Sequence, residues 1–216
     1  VIVIWSVAPE AMSGVIDQAI EKGIKVVAFV APTEKYDALM VSDEAELAAA
    51  GAKLAAKWID EAYADAPDHS VPVAVFTERD AQTGVTQGDV LMKIEDYSTK
   101  AKFEKEVAWT AETMEEGQSK AENLYTENSD IKVFLTAHNA IAVGINNYYT
   151  SLSSPVTDYT GMGIFSINGD NASADLIKQS VDNASPYRGM VLTGSVQDTA
   201  EEMAFVIYGV VDGSLE

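Results

Sequence analysis

Read for its pattern of apolar and polar residues, this chain falls in the α/β class, doubly wound around parallel strands, and three observations put it there. Short apolar runs rich in β-branched residues alternate with longer stretches of helical period from residue 1 to residue 211. The runs are apolar on both faces, the pattern of strands covered by helices on either side. No short internal repeat or low-complexity tract breaks the alternation.

Residues 1–5, VIVIW, are the first strand; they lack a basic flank and a small-residue cleavage site, so they do not read as a signal peptide. After a loop with Pro9, residues 11–22 line up Met12, Val15, Ile16, Ala19 and Ile20 as a helical stripe that Gly23 ends. Residues 24–30 are a strand, and strand, helix, strand in that order requires a parallel pair. A loop covers 32–37 and a short strand 38–42. An alanine-rich helix covers 44–63, with Ser42 or Asp43 available to cap it. Beyond a polar linker, 66–70, comes the strand 71–77, then a polar loop over 78–83 and a helix over 84–96 that is poor by propensity near its start. A strand over 102–109 and a polar amphipathic helix over 114–128 follow. Residues 131–144, IKVFLTAHNAIAVG, change period midway: a buried strand gives way to a helix ending near residue 152, with His138 and Asn139 between them. Open α/β sheets bind ligands at the carboxyl ends of their strands, which makes these two residues site candidates. A loop at 153–159, a strand at 163–167 ending in Asn168-Gly169-Asp170, a helix at 172–182, a strand at 190–195 and a helix at 199–211 complete the order.

At 216 residues and 23.1 kDa the chain can form one large domain or two small ones. Hydrophobic residues are 47% of it and the mean hydropathy is near zero, which is a globular composition. The formal charge is −20, the pI is about 4.2, and Arg79 and Arg188 are the two arginines. Such a surface repels phosphate backbones and anionic lipid, so neither nucleic acid nor a membrane surface is an expected partner. Cysteine is absent, which excludes disulfides, zinc-thiolate sites and thiol catalysis. No apolar run approaches the ~18 residues a bilayer span needs.

Catalytic patterns are missing as well. There is no Gly-x-Ser-x-Gly elbow, no phosphate-binding glycine loop with Lys-Ser/Thr and no His-Glu-x-x-His, and Gly161-Met162-Gly163 precedes a strand rather than following one. Acidic pairs such as Asp43-Glu44, Glu115-Glu116 and Glu201-Glu202 lie at helix starts or on polar faces, where they serve the helix dipole or solubility. A binding protein without a cofactor is expected, not an enzyme.

Residues 137–144, AHNAIAVG, resemble the Ala-x-Asn-Asp-x-x-Ala-x-Gly segment of type I periplasmic sugar-binding proteins, the ribose, galactose and xylose binders, with His138-Asn139 where the family has Asn-Asp. AIEKGIKVV at 19–27 is similar to the family's Ala-x-x-x-Gly-Ile-x-Val-Val, and VSDEAELAAAG at 41–51 to its strand-Asp-Asn-x-x-x-Gly element. FSING at 165–169 takes the place of Gly-Phe-Asp-Gly, and Val196-Gln197 that of the polar residue before the last helix. In order and spacing these motifs cover nearly the whole chain. The resemblance implies two doubly wound parallel-sheet lobes joined by a hinge, one built from 1–43 plus 196–216 and the other from 44–195. The family has two strand-helix units before the strand that VIVIW matches and a final crossing segment, so the first lobe is expected to be incomplete and the sequence to be part of a longer chain.

In the resembling family a sugar lies between the lobes, held by aromatic faces and by polar side chains at strand ends. An indole covers the C–H face of a pyranose while amides and carboxylates replace water on its hydroxyls. Trp109 stands where the galactose binders carry a stacking tryptophan; its other reading is an interface residue. Trp5 also closes a strand and reads as a site residue or as core or rim packing, while mid-helix Trp58 reads as core. Asn168 replaces the family's aspartate and keeps a planar fork with one donor in place of an acceptor, or it serves the Asn-Gly turn. His138 and Asn139 face the cleft or are satisfied structural groups, with no second and third metal ligand in view. Gln197 matches a contact near the hinge or simply starts a helix. The family's arginine three residues before a glycine is missing, since Val85 precedes Gly88 by three, so Arg79 or Asp80 replaces it by another route. The Asp-Arg expected at the end of the first lobe's strand is Val30-Ala31 here.

The function implied is that of the extracytoplasmic solute-binding component of a bacterial ABC importer, with a small sugar as ligand and membrane permease subunits as partners. An effector-sensing domain of a Lac-repressor-like regulator or a membrane sensor shares the fold and is the alternative.

Overall fold

The computed structural model describes residues 1–5, 9–30, 32–41, 43–192, 194 and 196–215. They divide into two compact units, one of Val1–Asp43 with Gly194–Glu216 and one of Glu44–Thr193.

The larger unit holds a five-stranded parallel sheet. Its strands are β4 (Val71–Glu78), β5 (Ala101–Trp109), β6 (Val133–Thr136), β7 (Gly163–Ile167) and β8 (Tyr187–Val191), in the spatial order β5-β4-β6-β7-β8. Helices α2 (Glu44–Ala62), α3 (Gln82–Leu91), α4 (Met114–Glu127), α5 (Asn139–Thr150) and α6 (Asn171–Val181) connect or flank them. Residues alternate between two apolar layers: Val73, Val75, Val133 and Leu135 pack with α2 and α3, whereas Ala74, Phe76 and Phe134 pack with α4 and α5. The sheet is therefore covered on both faces, as its apolar strands require.

The smaller unit holds a parallel sheet of β1 (Ile2–Ile4), β2 (Val26–Phe29) and β3 (Ala38–Met40) in that order. Ile16 and Ala19 of α1 (Ser13–Glu21) bury against Val26, and Gly23, at φ +73°, ends the helical stretch as the sequence implies. A 3-10 turn, Pro9–Met12, precedes α1, and α7 (Val196–Asp212) belongs to this unit. A cavity of about 540 Å³ lies between β3 and α7, lined by Leu39, Met40, Val41, Phe205 and Val206 with Glu201 and Glu202.

Three expectations change. The helix after β4 begins at Gln82 rather than at 84 and stops at Leu91, with a separate 3-10 turn at Ile94–Asp96. Its poor propensity has a steric cause: a Cβ on Gly84 would meet the Glu78 side chain at 2.6 Å and one on Gly88 would meet Thr77 at 2.8 Å. The helix lies directly on the end of β4, and only glycine leaves room. The last strand of the sheet starts at Tyr187, three residues before the expected 190, because Arg188 is a strand residue; Thr193 and Ser195 lie outside the described residues, as do Ser42, the possible cap, and Ala31. The Arg188 guanidinium donates to the carbonyls of Met162 (2.9 Å), Ser180 (2.7 Å) and Tyr159 and lies 5.7 Å from the centre of the Trp58 ring. Trp58 itself is partly buried against the core rather than within it.

Candidate functional site

In the larger sheet β4 connects outward to β5, then the chain crosses back over β4 to β6 and continues to β7 and β8. The order reverses between β4 and β6, where neighbouring connections leave in opposite directions and open α/β sheets of this kind place their ligand crevices. Glu78 ends β4 and His138 follows β6, so the two sides of this reversal carry a carboxylate and an imidazole. Glu78 Oε2 lies 3.6 Å from His138 Nε2, and Glu112 Oε1, in the loop after β5, lies 2.8 Å from His138 Nδ1. The imidazole is thus held between two carboxylates. Its backbone N–H donates to Thr136 Oγ1 at 3.2 Å, which fixes the turn from β6 into α5.

Trp109, the last residue of β5, meets His138 edge to face with ring centres 4.9 Å apart. It is only 3% exposed, and its Nε1 has no hydrogen-bond partner. In this conformation the indole supports the imidazole and offers no open face.

Asn139 opens α5 and is already engaged. Its Oδ1 accepts from Tyr187 Oη at 2.9 Å and from Ser173 Oγ, while Ser173 Oγ also donates to Asp170 Oδ1 at 2.8 Å. Tyr187 Oη and Ser166 Oγ are 2.6 Å apart, and Ser166 Oγ donates to the carbonyl of Asn168 at 2.8 Å. This chain of bonds ties the ends of β6, β7 and β8 to the start of α6, whose Asp170 caps it through the Ser173 N–H. That N–H and the Ser173 hydroxyl hold the Asp170 carboxyl below the usual range. Asn168 has φ +64°, a left-handed turn position that asparagine tolerates, so the turn requirement is real whatever else the residue does.

Arg79 is turned into a clamp. Its Nε donates to Glu106 at 2.5 Å, Nη1 to Asp89 at 2.8 Å and Nη2 to Met92 Sδ at 3.6 Å. The guanidinium and the Thr77 hydroxyl hold the Glu106 carboxyl down. Asp80 beside it is exposed. In the smaller unit, Trp5 is 70% exposed and meets Phe29 edge to face at 6.3 Å, and Gln197 donates to Glu201 at 2.8 Å one turn further along α7.

The sequence matches the pattern described as "Periplasmic binding protein domain" over residues 1–200. The chain belongs to the periplasmic binding protein family. Its fold is that of the type I sugar-binding members. A periplasmic ribose ABC transporter structure from Conexibacter woesei is similar at 16% identity and a TM-score of 0.63, over 89% of this chain and 70% of that one. An arabinose-binding protein from Geobacillus stearothermophilus is similar at 15% identity and 0.66, over 82% and 58%. An ABC transporter solute-binding protein from Agrobacterium vitis, solved with allitol, is similar at 14% and 0.63, over 94% and 68%. The chain spans between about half and 70% of the length of such structures. No curated protein matches it.

For a family in which small solutes bind at strand ends, the structure brings together Trp109 and His138, and joins Asn139 to the turn at Asn168 through Tyr187, Ser166 and Ser173. Glu112 and Tyr187 were not legible as site residues, and Glu78 was legible only as part of a polar loop. Glu78 could have been found from the strand order, since it ends the strand at which the order reverses. Nothing local marks Glu112, which reaches His138 only because β5 and β6 flank β4. Among the described residues no group of three or more His, Asp or Glu side chains could hold a metal, and no helix is long and apolar enough to cross a membrane.

Proposed function

We propose that this protein is the solute-binding component of an ABC importer, that it works outside the cytoplasmic membrane, and that it takes a small sugar or sugar alcohol at the carboxyl ends of β4–β7 for delivery to membrane permease subunits. The observation that carries the reading is the Glu78–His138–Glu112 group at the strand-order reversal. Carboxylate and imidazole groups there can exchange their mutual contacts for ligand hydroxyls, and backbone elements rather than mobile loops hold Glu78 and His138 in place. Arg79, Asp80, Asn139 and Asn168 frame this site in the proposal. Nothing in the mechanism consumes the ligand, so it would be recovered unchanged.

A thermal-shift panel of sugars, sugar alcohols, nucleosides and amino acids on the full-length protein tests this. The expected result is a large upward shift with one sugar or sugar alcohol. Trp109→Ala is a poor control, because removing a buried indole opens a cavity and costs about 3–5 kcal/mol whatever the ligand. Glu78→Ala, at a side chain that contacts His138 at the end of β4, is the better one, with affinity expected to fall at least about tenfold. A shift with a nucleoside or amino acid alone would overturn the ligand class.

A further inference from the structure

The loops that follow β4 to β8, together with the last residue of β4, carry Glu78, Asp80, Glu112 and Asp170 against Arg79 and His138, and no lysine. The guanidinium is spoken for on all three nitrogens, by Glu106, Asp89 and the Met92 sulfur. An acidic ligand entering here would find no free cation and would face carboxylates unpaired. The amide of Asn139 cannot replace a cation either, since its NH2 donates but carries no charge to offset an acid's; its oxygen is bonded to Ser173 and Tyr187.

The acceptors, by contrast, converge. Glu78 Oε2 and Glu112 Oε1 lie 3.6 and 2.8 Å from the two nitrogens of one imidazole, so the space between them already suits a group that donates in two directions. A second feature awaits a partner: Trp109, whose ring packs edge to face on His138, is buried and has an indole N–H with no acceptor.

We propose that the ligand is a polyhydroxylated amine, an amino sugar in its protonated form, whose ammonium takes the place of the His138 imidazole between Glu78 and Glu112. The same site rejects sugar acids and sugar phosphates. The proposal rests on the solute-binding reading above and narrows its ligand class.

The test is isothermal titration of the full-length protein with two matched sets, glucosamine, glucose and glucuronate, and galactosamine, galactose and galacturonate, beside the wider neutral panel. In the set that binds, the amine should bind at least about tenfold tighter than its parent sugar and the uronate at least about tenfold weaker, with the amine's advantage shrinking as salt is added. Glu112→Gln, at a side chain 56% exposed and outside the core, should remove most of that advantage while the melting temperature stays near the parent value; Glu78→Gln should act in the same direction. A uronate that matches its parent sugar, a neutral sugar bound as tightly as its amine, or an amine preference that survives both variants overturns the inference and leaves solute binding standing. Silence of the whole panel, neutral sugars included, takes down both.

Discussion

Val30, the residue after β2, has φ at +71°, in the left-handed region where a β-branched side chain is strained. Its N–H donates to the Met40 carbonyl at 2.7 Å, and that bond holds the residue in place. Val30→Gly is expected to stabilise the chain by about 1 kcal/mol, read as a higher urea midpoint at unchanged slope. A lower midpoint would mean that the side chain contributes more than its strain costs. A second single-residue expectation concerns pH. The Asp158 carboxyl accepts from the hydroxyl and N–H of Thr160, at 2.6 and 3.0 Å, and from Asn183 Nδ2 at 3.0 Å, and these donors bring its pKa down to about 2. Because the folded value lies below the ordinary one, whatever stability the carboxylate lends is complete above the usual carboxylate range and is lost as pH falls toward about 2. Carbon-detected NMR titration should find that midpoint; an ordinary aspartate midpoint would show that the three bonds do not persist in solution.

At the scale of elements, α4 and α5 touch backbone to backbone. A Cβ on Gly144 would stand 2.1 Å from the Met114 carbonyl oxygen, and one on Gly117 would stand 2.4 Å from that of Ile141. Gly144→Ala must push the helices apart, and since α4 starts just after Glu112 and α5 just after His138, the 2.8 Å contact between those residues should open. We expect a loss of about 2–4 kcal/mol in denaturant unfolding, with ligand binding weakened more than in a surface control such as Lys178→Ala. Binding that survives unchanged would show the two loops to be independent of the helices behind them. Gly144 was legible as the last residue of AHNAIAVG, and the change of period at His138 located the strand-to-helix turn correctly. The facing of β5 was harder to read. Ala101, Phe103, Val107 and Trp109 are in phase along the chain, yet a register shift at Val73/Ala74 sends the first two to the α2 layer and the last two to the α4 layer. An irregularity of pairing leaves no mark in one strand's own sequence. That is why the burial of Trp109 had to come from the structure.

For the molecule as a whole, the α/β class followed from alternation alone, while the family rested on the order of several loose motifs, which the match over residues 1–200 confirms. Charge set a weaker limit: −20 made nucleic acid and anionic membrane surfaces poor partners without naming a ligand. Both large apolar clusters draw all their residues from the larger unit, and the small cluster of Ile16, Ala19 and Val26 lies in the other. The 44–193 segment expressed alone should therefore fold, with a single cooperative thermal transition by circular dichroism. A sloping melt without a transition would show that it depends on the rest of the chain.

The smaller unit is drawn from two stretches separated by the whole of the larger one. On a ribosome, β1 to β3 emerge before the larger unit, yet α7, which packs beside β3, follows some hundred and fifty residues later, or roughly eight to thirty seconds at about 5–20 residues per second. Throughout that interval the nascent β1–β3 segment must be kept from pairing with its neighbours on the polysome. Its folding is therefore timed by translation, and a chaperone that shields short apolar strands would act longer on residues 1–40 than on the larger unit, whose apolar clusters are complete once residue 193 has emerged.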